Sequence, residues 1–268
     1  MNHTPVGVEP GSTAASPAAA SAASAAAPRL RVDRLTVRFG GLTALDDVSF
    51  EVGAGEVVAL IGPNGAGKTT VFNAVCGLVR RAAGEISLDG ASAANGPTGL
   101  VARGVARTLQ GLGLFDSMSV LENVLVPLES GTVRRVQHAE AAAQASGCLE
   151  RLGIAHLAAV PVAALPYPER KRVALARALG TDPALLLLDE PAGGLGEDDI
   201  DALADVVREV AASGCSVLLV EHHVDFVMGV ADRIIVLDFG RVIACGTPDE
   251  VRADPRVEEA YLGIEPAA

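Results

Sequence analysis

Apolar and polar positions alternate from Leu30 to Phe39, the period-two pattern of a strand with one buried face. A turn and a second strand, Val48 to Val52, predict an antiparallel β layer. Val57 to Ile61 is apolar without a polar break, as in a strand covered on both faces. A helical pattern runs from Lys68 to Val79, and Leu88-Asp89-Gly90 closes another short strand. Val101 to Gln110 leads into a stretch poor in strand signal, and positions 116 to about 180 are mostly helical. Ser119-Val120-Leu121-Glu122 has capping-box spacing, and a helix from Arg135 to Leu152 is ended by Gly153. Strand runs return at Ala184 to Asp189, Ser216 to Glu221 and Arg233 to Asp238. Strands alternating with helices predict an α/β fold: a mixed, mostly parallel sheet with an inserted helical subdomain at about 111–180.

Residues 1–28 are mostly Ala, Ser, Pro and Gly with almost no large apolar side chain, and are expected to form a disordered extension. They lack the basic start and strongly apolar middle of a secretory signal. The 268 residues suffice for one large domain, and half are apolar, many of them alanine. No run of about 18 apolar residues is present to span a bilayer. With 21 basic against 33 acidic residues the net charge is -12, which argues against nucleic acid as a partner. Cys76, Cys148, Cys215 and Cys245 are scattered without a close pair and read as reduced packing thiols.

The chemistry begins at Gly62-Pro63-Asn64-Gly65-Ala66-Gly67-Lys68-Thr69-Thr70, between the apolar strand and a helix. Small residues at Gly62, Gly65, Ala66 and Gly67 let the backbone wrap closely, so N–H groups and the helix N-terminus converge on phosphate. This pattern predicts a P-loop NTPase core in which all nine residues surround ATP, Lys68 neutralises the β- and γ-phosphates and the Thr69 hydroxyl holds Mg²⁺. Leu185 to Glu190 is the matching strand: Asp189 reaches the sheet's carboxyl end to bind Mg²⁺ through water, and Glu190 is the candidate general base. His222 follows Ser216 to Glu221 at the same edge, placed to contact the γ-phosphate or position the attacking water; no role is assigned to His223.

From Leu30 to Gly263 this order of parts resembles the ATP-binding cassette family, and the resemblance implies further roles. Phe39 occupies the place of the aromatic that stacks on adenine, and Gln110, in Ala106-Arg107-Thr108-Leu109-Gln110, that of the glutamine that touches Mg²⁺ and the water. Asp189, Glu190 and His222 match the metal carboxylate, the catalytic glutamate and the switch histidine. The expected domain covers 29–264, with 265–268 as a tail.

One part departs from the family. Where its Leu-Ser-Gly-Gly-Gln-type signature caps the γ-phosphate of the opposite subunit, this chain has Leu165-Pro166-Tyr167-Pro168-Glu169. Pro166 removes the hydroxyl, and Pro168 lacks the N–H that points at phosphate. Arg170 or Lys171 offers compensating charge, and Pro191 to Gly196 lacks the aspartate usual at its end. In a homodimer both composite sites suffer; in a heterodimer only one does, which makes a heterodimer with a second cassette ATPase the favoured expectation. The alternative is a catalytically impaired subunit that regulates an asymmetric complex.

The finer resemblance is to ATP-binding subunits of branched-chain amino acid importers. It rests on Arg107 to Gln110, Val120 to Val126, Leu165-Pro166-Tyr167, Asp189 to Leu195, Asp232 to Pro248 and Glu259 to Gly263. It implies docking on membrane permease subunits at the cytoplasmic face of the cell membrane, an extracytoplasmic solute-binding protein as an indirect partner, and uptake of branched-chain or other hydrophobic amino acids.

Overall fold

The computed structural model describes residues 27–93, 96–109, 111–129 and 137–262. The chain begins with β1 (Leu30–Phe39), β2 (Leu42–Val52) and β3 (Val57–Ile61), and then forms α1 (Lys68–Val75). Next come β4 (Ala83–Leu88), β5 (Ala91–Ser92), α2 (Pro97–Val101) and β6 (Val105–Arg107). Three helices follow: α3 (Val120–Glu129), α4 (His138–Arg151) and α5 (Tyr167–Leu179). The chain then alternates through β7 (Leu185–Asp189), α6 (Glu197–Ala212), β8 (Ser216–Val220), α7 (Val224–Val230) and β9 (Arg233–Asp238). It finishes with β10 (Arg241–Gly246), α8 (Pro248–Arg252) and α9 (Pro255–Leu262).

The unbroken apolar runs become the middle of a six-stranded sheet of order β10-β9-β3-β8-β7-β6, parallel except for β10. Every residue of β3, β7 and β8 is buried because both faces are covered. Val57, Ala59 and Ile61 pack toward the core formed with α3 to α7, while Val58 and Leu60 join the core formed with β1, β2 and α1. A second, antiparallel sheet has the order β2-β1-β4-β5. The pattern-based reading holds for this layer, for the parallel strands and for the helical stretch between β6 and β7.

Three local differences have physical causes. Strand β2 starts at Leu42 rather than Val48 because β1 pairs along its length, from Leu30↔Val52 to Phe39↔Leu42, through register shifts that blur the alternation. Helix α1 ends at Val75 rather than Val79: Gly77 adopts φ 66, and a Cβ there would stand 2.6 Å from the Gly96 nitrogen. The short β6 and the edge strand β10 carried too little pattern to be anticipated.

Parallel register decides what meets at the carboxyl edge. Leu60 pairs with Val220, and Val220 with Asp189, so the segments after β3, β8 and β7 emerge side by side. Arg107 pairs with Leu187 at the end of β6, next in the row.

The capping box at the head of α3 forms as its spacing predicts: the Glu122 carboxylate accepts the Ser119 N–H (2.7 Å), and the Ser119 hydroxyl accepts the Glu122 N–H (3.3 Å). Asn123 beneath it is fully buried; its Oδ1 accepts the Phe115 N–H (2.8 Å), and its Nδ2 donates to the carbonyls of Phe115 (3.1 Å) and Ser119 (3.0 Å). Truncating this side chain takes the acceptor from the Phe115 N–H and leaves a void at a fully buried position, so Asn123→Ala is expected to lower stability by about 1–3 kcal/mol in urea unfolding. A loss under about 0.5 kcal/mol contradicts this.

Candidate functional site

The loop between β3 and α1 is shaped by glycines in conformations closed to most side chains. Gly62, Gly65 and Gly67 have φ values of 147, 83 and 106. A Cβ on Gly62 would stand 2.1 Å from the Leu237 carbonyl oxygen, and one on Gly67 would stand 2.7 Å from Leu45 Cδ2. At Gly65 nothing lies within 4 Å, so the loop is packed on its outer wall and open at its crown. Ala66 is buried, Pro63 is half-buried, and Asn64 is exposed at the rim. Gly67 is the N-cap of α1 and no side chain caps the helix, which leaves the N–H groups at the Lys68-Thr69-Thr70 turn for an anion. Lys68 is buried and its ammonium donates to the carbonyls of Gly62 (2.7 Å) and Pro63 (2.9 Å). Burial lowers its pKa below the ordinary lysine value, and the Glu190 carboxylate opposes that shift. The open crown, uncapped helix and buried cation fit a nucleotide's phosphates; the exposed Thr69 hydroxyl and Asp189 are the oxygen donors that suit Mg²⁺.

The neighbouring strand ends supply the rest. Asp189 is nearly buried, and its Oδ2 accepts a hydrogen bond from Arg107 Nη2 at 2.8 Å. Arg107 also donates to Asn73 Oδ1 (3.1 Å) and lies 5.6 Å from the Phe72 ring centroid, which ties Asp189 to α1. Glu190 has φ 47, unusual for a residue with a side chain; its N–H donates to the Val220 carbonyl (2.9 Å), and its Oε1 stands 3.0 Å from His222 Nε2. His223 is the exposed N-cap of α7.

Phe39 lies at the end of β1 and is 51% exposed, which excludes a core role and leaves its ring free to stack. Gln110 lies outside the described residues. The structure therefore brings the loop, Lys68, Asp189, Glu190 and His222 to one edge.

Sequence reasoning passed over Arg107, Glu221 and Tyr261. Glu221 is 2% exposed, yet its carboxylate accepts the N–H groups of Ala192 (2.6 Å), His222 (2.8 Å) and His223 (3.1 Å). A carboxylate ending an apolar strand was the available signal for it. Tyr261 of α9 lies beside the Gly62 N–H, and burial raises its phenol above the ordinary tyrosine value.

The altered signature forms the head of α5, with Pro166 as N-cap and Pro168 in the first turn. The helix survives there because proline suits its first turn. The three basic residues that follow are engaged within the chain. Arg170 pairs with Asp116 (2.6 Å), Arg172 pairs with Asp199 (2.6 Å), and the Lys171 ammonium lies on the carbonyls of Glu190, Pro191 and Gly193.

The family model described as ABC transporter matches residues 45–193, a span that includes the phosphate loop and Glu190. The chain belongs to the ATP-binding cassette transporter family. It is an ATP-binding ATPase subunit of that family. A second model, Branched-chain amino acid ATP-binding cassette transporter, matches residues 241–267, which hold β10, α8 and α9. The high-affinity branched-chain amino acid transport ATP-binding protein LivG of Salmonella typhimurium is 41% identical over 251 residues, covering 88% of this chain and 98% of that protein. BraF of Pseudomonas aeruginosa, described in the same words, is 38% identical with the same coverage. Among solved structures, a nucleotide-free ATP-binding cassette from an ABC transporter superposes with a TM-score of 0.80 at 30% identity, covering 89% of this chain and 100% of that one. The ADP conformation of MJ1267, an ATP-binding cassette of an ABC transporter, gives a TM-score of 0.80 at 31% identity with the same coverage.

In this cassette the phosphate loop tolerates no side chain at Gly62. Gly62→Ala is expected to weaken ATP binding at least about a hundredfold in an equilibrium assay with a fluorescent ATP analogue, since the added Cβ forces β9 and the loop apart. Parental affinity contradicts this.

Proposed function

We propose that this cassette binds Mg-ATP on its phosphate loop, hydrolyses it with Glu190 as general base and, docked on membrane permease chains, drives uptake of branched-chain or other hydrophobic amino acids. The observation that carries the reading is the row of Lys68, Asp189, Glu190 and His222 along adjacent strand ends, with Glu190 Oε1 and His222 Nε2 3.0 Å apart. Residues 62–70 cradle the triphosphate, and Lys68 moves from loop carbonyls to the β- and γ-phosphates. Phe39 stacks on adenine. Thr69, Asp189 and, by the family resemblance, Gln110 would hold Mg²⁺, which would supply neutralising charge to the phosphates. Arg107, donating to Asp189 Oδ2, fixes the carboxylate that would bind the metal through water. Glu190 accepts a proton from the attacking water, and His222, donating from Nε2 to the ionised carboxylate, keeps it aimed.

The permeases and the cargo rest on the relatives, which are named for branched-chain amino acid transport. A groove of about 450 Å³ beside β6, lined by Leu78, Leu100, Leu109, Val126 and Pro127, suits an apolar cytoplasmic helix of a permease; Leu78 and Leu109 are half-exposed. Among the described residues no helix is long and apolar enough to cross a membrane, in keeping with a subunit peripheral to the cytoplasmic face. An extracytoplasmic solute-binding protein completes such an importer.

The head of α5 favours a second ATPase of different sequence. Pro168 offers no N–H, and Arg170, Lys171 and Arg172 are engaged within the chain, so this signature closes a partner's nucleotide poorly. The chain's own nucleotide, closed by the partner's signature, is the one hydrolysed well.

In the transporter reconstituted in vesicles, Lys68→Ala is expected to abolish ATP binding and ATP-driven leucine uptake. Glu190→Gln is expected to retain ATP binding while hydrolysis and uptake fall about a hundredfold or more. Parental turnover in Glu190→Gln defeats the assignment.

A further inference from the structure

Lys171 has a geometry that hydrolysis and docking leave unused. Its ammonium donates to the carbonyl oxygens of Glu190 (2.9 Å), Pro191 (2.8 Å) and Gly193 (2.5 Å), three bonds from three hydrogens onto one turn. The stem rises from α5, in the turn that follows Pro166, and the ammonium lies 5.4 Å from the Tyr167 ring centroid. The turn also packs directly on the head of α5: a Cβ on Gly194 would stand 3.0 Å from Tyr167 Cε1.

Glu221 grips the same region in the opposite sense. Its buried carboxylate collects the N–H groups of Ala192, His222 and His223, while Lys171 collects carbonyls. Burial lowers the pKa of Lys171, and the carboxylates of Glu221 and Glu190 oppose that shift. Between these two charges Glu190 stands at φ 47, a backbone conformation that a side-chain-bearing residue keeps only where its surroundings over-determine it. Its N–H is held by the Val220 carbonyl and its own carbonyl by Lys171.

We propose that Lys171 is a positioning residue that sets the orientation of Glu190 and makes it depend on the head of α5, so that hydrolysis of this chain's nucleotide is coupled to the segment that closes its partner's. The proposal rests on Glu190 being the general base. When the partner's nucleotide draws the head of α5 inward, Lys171 carries that shift to the 190–193 turn, and the two sites report on one another through a single ammonium. With methionine in its place the turn keeps its Glu221 contacts and the Gly193 N–H on the Glu190 carbonyl (3.3 Å) but loses the ammonium from the carbonyls of Glu190, Pro191 and Gly193.

The test uses Lys171→Met, Lys171→Arg and Glu190→Gln in the full chain assembled with its ATPase partner and permeases. Three quantities are read: Mg-ATP affinity, hydrogen exchange of the 190–196 amides, and kcat with KM. In Lys171→Met, affinity is expected within about threefold of the parent, exchange at Gly193 and Gly194 about tenfold faster, and kcat ten- to a hundredfold lower at unchanged KM. Lys171→Arg, which keeps donors, recovers most of both losses. Exchange and kcat within twofold of the parent in Lys171→Met overturn the proposal, as does an arginine variant no better than methionine. Should Lys171→Met fail to fold, Lys171→Leu, which also lacks a donor, is read against the same outcomes. The failures are distinguishable: parental hydrolysis in Glu190→Gln refutes the base itself, whereas loss there with parental kcat in Lys171→Met refutes the positioning role alone.

Discussion

Everything at the nucleotide edge depends on the parallel register of three buried strands. Leu60 opposite Val220, and Val220 opposite Asp189, deliver the phosphate loop, the Glu221-His222 segment and the Asp189-Glu190 pair to one line. A one-residue slip in any of them would turn its side chains to the other face and move the carboxylates off that line. The register is strongly specified because both faces are buried, with alternate residues of β3 committed to different cores. The catalytic geometry is thus a consequence of packing, and the loops only extend what the strands have placed.

Around that line the protein uses charges to hold backbone. Lys68 rests on carbonyls of its own loop, Lys171 on carbonyls of the 190–193 turn, and Glu221 on three N–H groups. Each satisfies backbone groups that the irregular turns leave without strand or helix partners, and each is enclosed enough for the bond to exceed its worth in water. The 190–193 turn belongs equally to the core that presents Glu190 and to the helical region that presents α5. On the proposed coupling, that shared turn is what joins the two sites.

Much of this was legible in the sequence. The phosphate loop, Asp189, Glu190 and His222 announced themselves because their chemistry needs particular residues at fixed spacing after apolar runs, and the antiparallel layer and parallel strands followed from periodicity. Arg107 and Glu221 were not legible as partners: the Arg107–Asp189 bond joins residues far apart in the chain, and only the β6–β7 pairing brings them together. Lys171 was read as spare charge at the head of α5, and only the fold turns it toward the 190–193 carbonyls. Helix α1 was read too long because its glycine cap was passed over: Gly77 takes a positive φ, its N–H donates to the Ala74 carbonyl (3.0 Å) and the Leu78 N–H to the Asn73 carbonyl (2.8 Å).

The proposed function sets two parts of this cassette in contrast: the edge that carries Lys68, Asp189, Glu190 and His222, and an α5 head in which Pro166 and Pro168 offer neither hydroxyl nor N–H. The most direct test is steady-state Mg-ATP hydrolysis by the purified chain over a range of concentrations, with Glu190→Gln as the background, before and after adding a partner cassette that carries a Ser-Gly-Gly signature. The account predicts tight ATP binding with turnover at the Glu190→Gln background for the chain alone, and a Glu190-dependent rate once the partner is present. A Glu190-dependent rate in the chain alone that rises faster than linearly with concentration would contradict it, because the head of α5 would then close a nucleotide unaided.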